Sequence, residues 1–167
     1  MLIVLFRHGI AEPRQPGRPD ADRALTGEGE QKTAEAARGL ATMDLSADAL
    51  LTSPLRRARQ TADLLARSLH LAPEVCAPLA EPGPDAVLGL IRSRSERTLV
   101  LVGHEPALSA VAGRLCSRGG GAPTIELKKA GCLAVEARIG PGEPGGAGGM
   151  LAWALPPRVL RRLGRGR

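Results

Sequence analysis

Leu2-Ile3-Val4-Leu5-Phe6 runs directly into Arg7-His8-Gly9, and much later Leu99-Val100-Leu101-Val102 runs into Gly103-His104-Glu105-Pro106. Apolar runs this short, unbroken by polar residues, read as strands buried on both faces. Both end in Gly and His, so each carries an imidazole to one edge of a sheet. In open α/β sheets, ligands bind beyond the carboxyl ends of the strands. The chain holds three His in all, and two stand at these equivalent places. His70, within Ser68-Leu69-His70-Leu71, lacks that context and reads as a surface residue at a helix end.

The rest of the chain alternates. Gly9 to Ala24, with Pro13, Pro16, Gly17 and Pro19, reads as a long loop leaving the sheet edge. Thr26 is the expected N-cap of a helix whose first turn is acidic and whose buried face is Ala34, Ala37, Leu40 and Ala41. Ala49–Thr52 reads as a second strand ending in Ser53-Pro54. The helix after it buries Leu55, Ala58, Ala62 and Leu65, with Arg between them. A short edge strand is expected around Val75. Pro84 suits the first turn of a third helix burying Val87, Leu88 and Ile91. The helix after His104 is expected to start at Glu105-Pro106, to bury Leu108, Val111, Ala112 and Leu115, and to end at Gly119-Gly120-Gly121.

Cys132–Ile139 and Met150–Leu155 read as two further strands, joined by a flexible Gly/Pro-rich loop over 140–149. Residues 158–167 form a basic tail, read as a frayed helical turn packing through its leucines. Alternation of this kind predicts one α/β domain over 1–167: three layers, with a mostly parallel central sheet and helices on both faces.

Composition narrows the function. The chain has one Trp, one Phe and no Tyr, which argues against the stacking platforms that bind single-stranded nucleic acid. Its formal net charge is +6, and 20 of its 23 basic residues are Arg, which favours anionic partners. Cys76, Cys116 and Cys132 are odd in number and far apart, so free thiols are expected rather than disulfides or a Cys-based zinc site. The N-terminal apolar run is too short for a signal peptide, and no stretch approaches a membrane helix. These features predict a cytoplasmic protein with no membrane and no metal.

The chemistry lies at the strand ends. His8 is a candidate nucleophile, and Arg7 beside it offers a fork of donors suited to a tetrahedral oxyanion. Ser53-Pro54-Leu55-Arg56-Arg57-Ala58-Arg59-Gln60-Thr61-Ala62 adds guanidinium groups at a strand–helix junction, and His104 adds a second imidazole. A cationic pocket with a nucleophile fits phosphoryl transfer, which depends on positioning and charge neutralisation.

Arg7-His8-Gly9, the S-x-L-x-R-A-x-x-T-A pattern of Ser53–Ala62 and the late Gly103-His104 resemble the histidine phosphatase superfamily, the phosphoglycerate mutase-like fold. The short length, Leu25-Thr26-x-x-Gly29 and the truncated region before the third helix are most similar to its small bacterial SixA-type branch. The resemblance implies that His8 is the phosphorylated nucleophile, Arg7 and Arg57 bind phosphate and His104 is the second catalytic His. It places Arg23 at the pocket rim and adds Gly9 and Ser53 to the substrate-binding residues. Arg56, Arg59, Glu12, Glu28 and Glu105 read as surface, loop or helix-start charges. Where the mutase branch carries a general acid, the local candidate is Glu81. Ile10 departs from the polar residue common in the superfamily.

The resemblance thus implies a metal-independent, cofactor-free phosphohistidine phosphatase, expected to be monomeric. Its partner would be a histidine-containing phosphotransfer domain of a signalling relay. A phosphatase of small phosphate monoesters and a non-catalytic phosphate-binding module remain as alternatives. Nucleic-acid binding through the Arg-rich tail is a weaker one.

Overall fold

The computed structural model describes residues 1–117, 125–139, 141 and 148–166. Six strands form one sheet in the order β3-β2-β4-β1-β5-β6: β1 (Leu2–Arg7), β2 (Ala49–Thr52), β3 (Pro73–Val75), β4 (Thr98–Gly103), β5 (Cys132–Glu136) and β6 (Met150–Leu155). The four strands β3, β2, β4 and β1 are parallel, whereas β5 and β6 each run antiparallel to the preceding neighbour.

Alternate residues of each strand feed different cores. Ile3, Leu5, Leu51, Leu99 and Leu101 pack with Val87, Leu88 and Ile91 of α3 (Pro84–Arg92) and Leu108, Val111 and Leu115 of α4 (Ala107–Cys116). Val4, Phe6, Leu50, Val100 and Val102 face the other way. They pack under Ala36, Ala37 and Leu40 of α1 (Gly27–Ala41) and Ala58, Ala62 and Leu65 of α2 (Arg56–Leu69). Small alanines on α1 and α2 let both helices lie close to the sheet, so the core is built almost without aromatic bulk. Thr26 caps α1 as expected, its hydroxyl accepting the Gly29 N–H at 3.0 Å.

Two expectations need correction. The tail is no frayed turn: Pro157–Gly164 forms helix α5, which packs along α1. Leu160 is fully buried there. A Cβ at Gly39 would strike the Leu160 carbonyl and one at Gly164 the Glu35 carbonyl, so the two backbones touch where neither has a side chain. Arg165 adds an ion pair to the nearly buried Glu35 at 3.0 Å. Strand β5 also stops at Glu136 instead of continuing to Ile139, because its partner β1 runs out where Leu2 meets Glu136. The expected end of α4 at Gly119–Gly121, most of the 140–149 loop and Arg167 lie outside the described residues.

Helices following β1 and β2 cover one face, whereas the helix following β4 covers the other. The crevice of this sheet therefore opens where β4 meets its neighbours, at their carboxyl ends, the usual place for a ligand in an open α/β sheet.

Candidate active site

Three parallel strands end together on that edge. Arg7 of β1 is level with Gly103 of β4, and Thr52 of β2 with Val102. Backbone bonds extend the ladder one residue further: the His8 N–H donates to the Gly103 carbonyl (3.1 Å) and the Ser53 N–H to that of Val102 (3.0 Å). His8, Ser53 and His104 thus hang side by side just past the sheet. The His8 and His104 rings lie 4.9 Å apart between centroids, tilted by 54°.

His8 is buried. Its Nδ1 lies 2.7 Å from the Gly9 carbonyl. A carbonyl only accepts, so Nδ1 carries the proton and Nε2 keeps its lone pair, toward which Arg57 Nε donates. Burial first, then the neighbouring His104 and the charges of Arg57 and Arg7, lower the pKa of His8 to about 3. At neutral pH the ring is uncharged, and Nε2 keeps the lone pair a nucleophile needs. The Gly9 carbonyl is itself held in place, because the Gly9 N–H donates to Thr61 Oγ1 of α2 at 3.1 Å. Gly9 must lack a side chain, since a Cβ there would collide with Thr33 Oγ1.

Arg57, on the first turn of α2, is buried to 5% exposure and its Nε lies 3.3 Å from His8 Nε2. Arg56 and Arg59 on the same helix are exposed, as expected. Arg7 leaves the end of β1 and donates through one terminal nitrogen to the Leu127 carbonyl at 2.6 Å, while its Nε is buried without a protein partner.

His104 Nε2 meets Ser53 Oγ at 2.8 Å. That hydroxyl already accepts the Leu55 N–H at 3.3 Å. In the tautomer where Ser53 donates to Nε2, His104 Nδ1 becomes a buried N–H with no protein partner. Burial, then Arg57, lower His104 to about 4. Ser53 therefore orients an imidazole rather than facing a substrate. Unpartnered donors on Arg7 and His104, flanking a neutral Nε2, form an arrangement an oxyanion completes.

The remaining candidates divide. Arg23 reaches the cluster through a carboxylate that the sequence reading passed over. Asp20 Oδ1 accepts from Arg23 Nε and from Arg14 Nε, each at 2.9 Å, and its other oxygen accepts from Arg57 at 2.9 Å. Partial burial pushes the Asp20 carboxyl up, but the Arg23 hydrogen bond and the Arg57 charge outweigh it and hold it well below the usual range. Glu81 is exposed beside the 3-10 turn Ala77–Ala80, with no side-chain hydrogen bond among the described residues. Glu105 is more than a helix-start charge: Oε1 is buried without a partner, and burial raises its carboxyl above the ordinary value. Thr61 stood inside the recognised motif, whereas Asp20 was signalled only by its three-residue spacing from Arg23.

Residues 3–84 match the model of the histidine phosphatase superfamily, branch 1. An uncharacterized protein of Picosynechococcus sp. is 40% identical over 141 residues, covering 80% of this chain and 83% of that one. The chain belongs to the histidine phosphatase superfamily. Among solved members of this fold, the protein histidine phosphatase SixA complexed with tungstate superposes with a TM-score of 0.76 at 23% identity, over 96% of this chain and 99% of that one. SixA from Agrobacterium tumefaciens gives 0.76 at 21% identity, over 92% and 96%. A mycobacterial glucosyl-3-phosphoglycerate phosphatase in complex with VO3 gives 0.64 at 18%, over 93% and 99%. The fold is thus shared with proteins named a protein histidine phosphatase and a glucosyl-3-phosphoglycerate phosphatase.

Other nucleophiles and ligand sets are poorer. All three cysteines are free, and burial pushes the Cys76 thiol up to about 11 and raises Cys116 and Cys132 as well. Among the described residues no three His, Cys, Asp or Glu side chains gather as a metal site, and no helix is long and apolar enough to cross a membrane.

Proposed function

We propose that the protein is a metal-independent phosphatase acting through a phospho-His8 intermediate, and that it removes phosphate from phosphohistidine on a signalling protein. The observation that carries this reading is the neutral His8 Nε2, fixed by the Gly9 carbonyl and flanked by Arg7, Arg57 and the free Nδ1 of His104. His8 Nε2 attacks phosphorus in line, forming a new P–N bond. The bond to the leaving ring breaks and its electron pair stays on that nitrogen; the ring's other nitrogen carries a proton, so the group departs as neutral imidazole. Arg7, Arg57 and His104 bind the phosphoryl oxygens as charge shifts between them. Water then attacks phosphorus, the P–Nε2 bond breaks, and phosphate leaves with His8 restored.

Substrate preference follows from the carboxylates. Ester cleavage expels an alkoxide, so a positioned acid is worth about 10²–10⁴-fold. Asp20 is held ionised by its arginines and is no proton donor at neutral pH. Glu81 is exposed and has no side-chain hydrogen bond among the described residues. An imidazole leaving group, with a conjugate acid near ~6.5, needs such help far less. The remaining candidate carboxyl, that of half-buried Glu105, makes no hydrogen bond to His8, Arg57 or His104, so P–N substrates are favoured over P–O esters.

The test compares turnover of a phosphohistidine protein with that of alkyl phosphates, for wild type, His8→Ala and Glu81→Gln. Acid-labile, base-stable phosphate should map to His8, His8→Ala should be inactive, and esters should be poor substrates. Fast ester cleavage abolished by Glu81→Gln supports the small-ester alternative, which the mycobacterial relative brings into view.

A further inference from the structure

The Asp20 carboxylate occupies the guanidinium groups that an oxyanion would use. Every nitrogen of the Arg57 guanidinium has a partner: Nε on His8 Nε2 (3.3 Å), one terminal nitrogen on the Asp20 carbonyl (2.8 Å), the other on the Asp20 carboxylate (2.9 Å). Arg23 divides its donors between Asp20 Oδ1 and the Glu12 carbonyl, at 2.9 and 2.7 Å. A phosphoryl group on Nε2 takes the place of the lone pair that now faces Arg57, so Arg57 must turn its donors toward the phosphoryl oxygens. We infer that Asp20 is a resident competitor for the phosphoryl group, occupying Arg57 and Arg23 until an oxyanion displaces it and so lowering the pocket's affinity for inorganic phosphate. This inference rests on the phosphatase reading of the site.

The segment is built for such an exchange. Its base is fixed: the Glu12 N–H donates to the Ala24 carbonyl (2.9 Å), and Ala11 bridges Leu25. Its outer part, Pro13–Gly17, is exposed and turns at Gly17, whose φ of +78° a residue with a side chain rarely adopts. Asp20 itself keeps 35% of its side chain exposed, so a displaced carboxylate reaches water at once. Arg23 stays anchored through Glu12 when Asp20 leaves, and Arg57 through the α2 backbone. Both are then free to bind three phosphoryl oxygens where a carboxylate offered two. A dianion bound by charge-assisted bonds outcompetes a single carboxylate, but its net affinity falls by whatever the carboxylate contributed. Inorganic phosphate, the product, has nothing except this pocket to hold it. A protein substrate also has its own surface to bind with. The competitor raises the dissociation constants of product and substrate by the same factor, and the protein substrate makes up its share through contacts outside the pocket.

The experiment measures tungstate affinity by calorimetry and inhibition of turnover by inorganic phosphate, for wild type, Asp20→Asn and Asp20→Ala. Both variants should bind either anion more tightly, by about tenfold to a hundredfold, the value of one hydrogen bond to a charged group. If one variant fails to melt cooperatively, the other decides. Unchanged or weaker binding in the folded variant overturns the inference and makes Asp20 a positioning residue for Arg57. Wild type that binds tungstate and forms phospho-His8 keeps the phosphatase reading standing in that case. Wild type that does neither overturns both.

Discussion

The Thr61 hydroxyl accepts the Gly9 N–H at 3.1 Å and donates to the Arg57 carbonyl at 2.7 Å. One buried side chain thereby ties the turn that orients His8, the proposed nucleophile, to the helix that carries Arg57. Thr61→Val keeps the shape and leaves the Gly9 N–H unpaired, which costs about 1–3 kcal/mol. Expected are a lower Tm and a kcat reduced more than KM is raised, with Thr61→Ser restoring both. A variant with normal stability and kcat removes Thr61 from the positioning of His8.

Burial, then neighbouring positive charge, depresses both active-site imidazoles: His8 to about 3 and His104 to about 4. Neither should titrate between about pH 5 and 8 by NMR, and tungstate should raise both values, since an anion favours the charged ring. The sign for stability follows. Below the ordinary His value of about 6.5 the unfolded chain binds protons that the folded chain refuses. Stability contributed by these residues is therefore complete above that value and is lost as pH falls toward 4 and 3. Asp20 adds a loss of the same sign at still lower pH, whereas Glu105, raised by burial, opposes it above its ordinary value. Urea unfolding at about pH 7 and 5 measures the difference. A normal His8 titration refutes the burial argument.

Much of this was legible in the chain. Strand β2 falls on Ala49–Thr52, and α3 buries Val87, Leu88 and Ile91, because short apolar runs and helical spacing carry their own signal. His8, Arg57 and His104 came together for a related reason: each follows a strand, and parallel strands end on one edge. Asp20 was not legible, because its role depends on Arg57, thirty-seven positions away. The tail's leucines were read as packing, but the full length of helix α5 was not, because its evidence is tertiary, in the groove α1 offers at Gly39.

Helix α5 changes what a truncation means. Deleting 158–167 to look for nucleic-acid binding removes Leu160, which is fully buried. Leu160→Ala alone should cost about 2–5 kcal/mol, read as a fall in urea midpoint. Substituting exposed Arg158 and Arg162 with Gln leaves the core intact and tests binding cleanly. An unchanged midpoint for Leu160→Ala contradicts the packing of α5 on α1.

The pocket draws its positive charge from Arg7 and Arg57. Turnover should accordingly persist in EDTA, while tungstate or vanadate inhibits by resembling the pentacoordinate transition state. Activity lost to the chelator and restored by zinc or magnesium refutes metal independence.

His8 and His104 succeed neighbouring strands, and their 4.9 Å ring separation reproduces the ~4.8 Å spacing of any hydrogen-bonded pair of strands. The sheet thus brings His8 and His104 side by side, and their side-chain geometry sets the gap between the two rings. It admits any tetrahedral phosphoryl group and grades none. Choice among substrates falls to the loops around it, so exchanging residues 10–24 between related chains should transfer preference while leaving the chemistry where it stands.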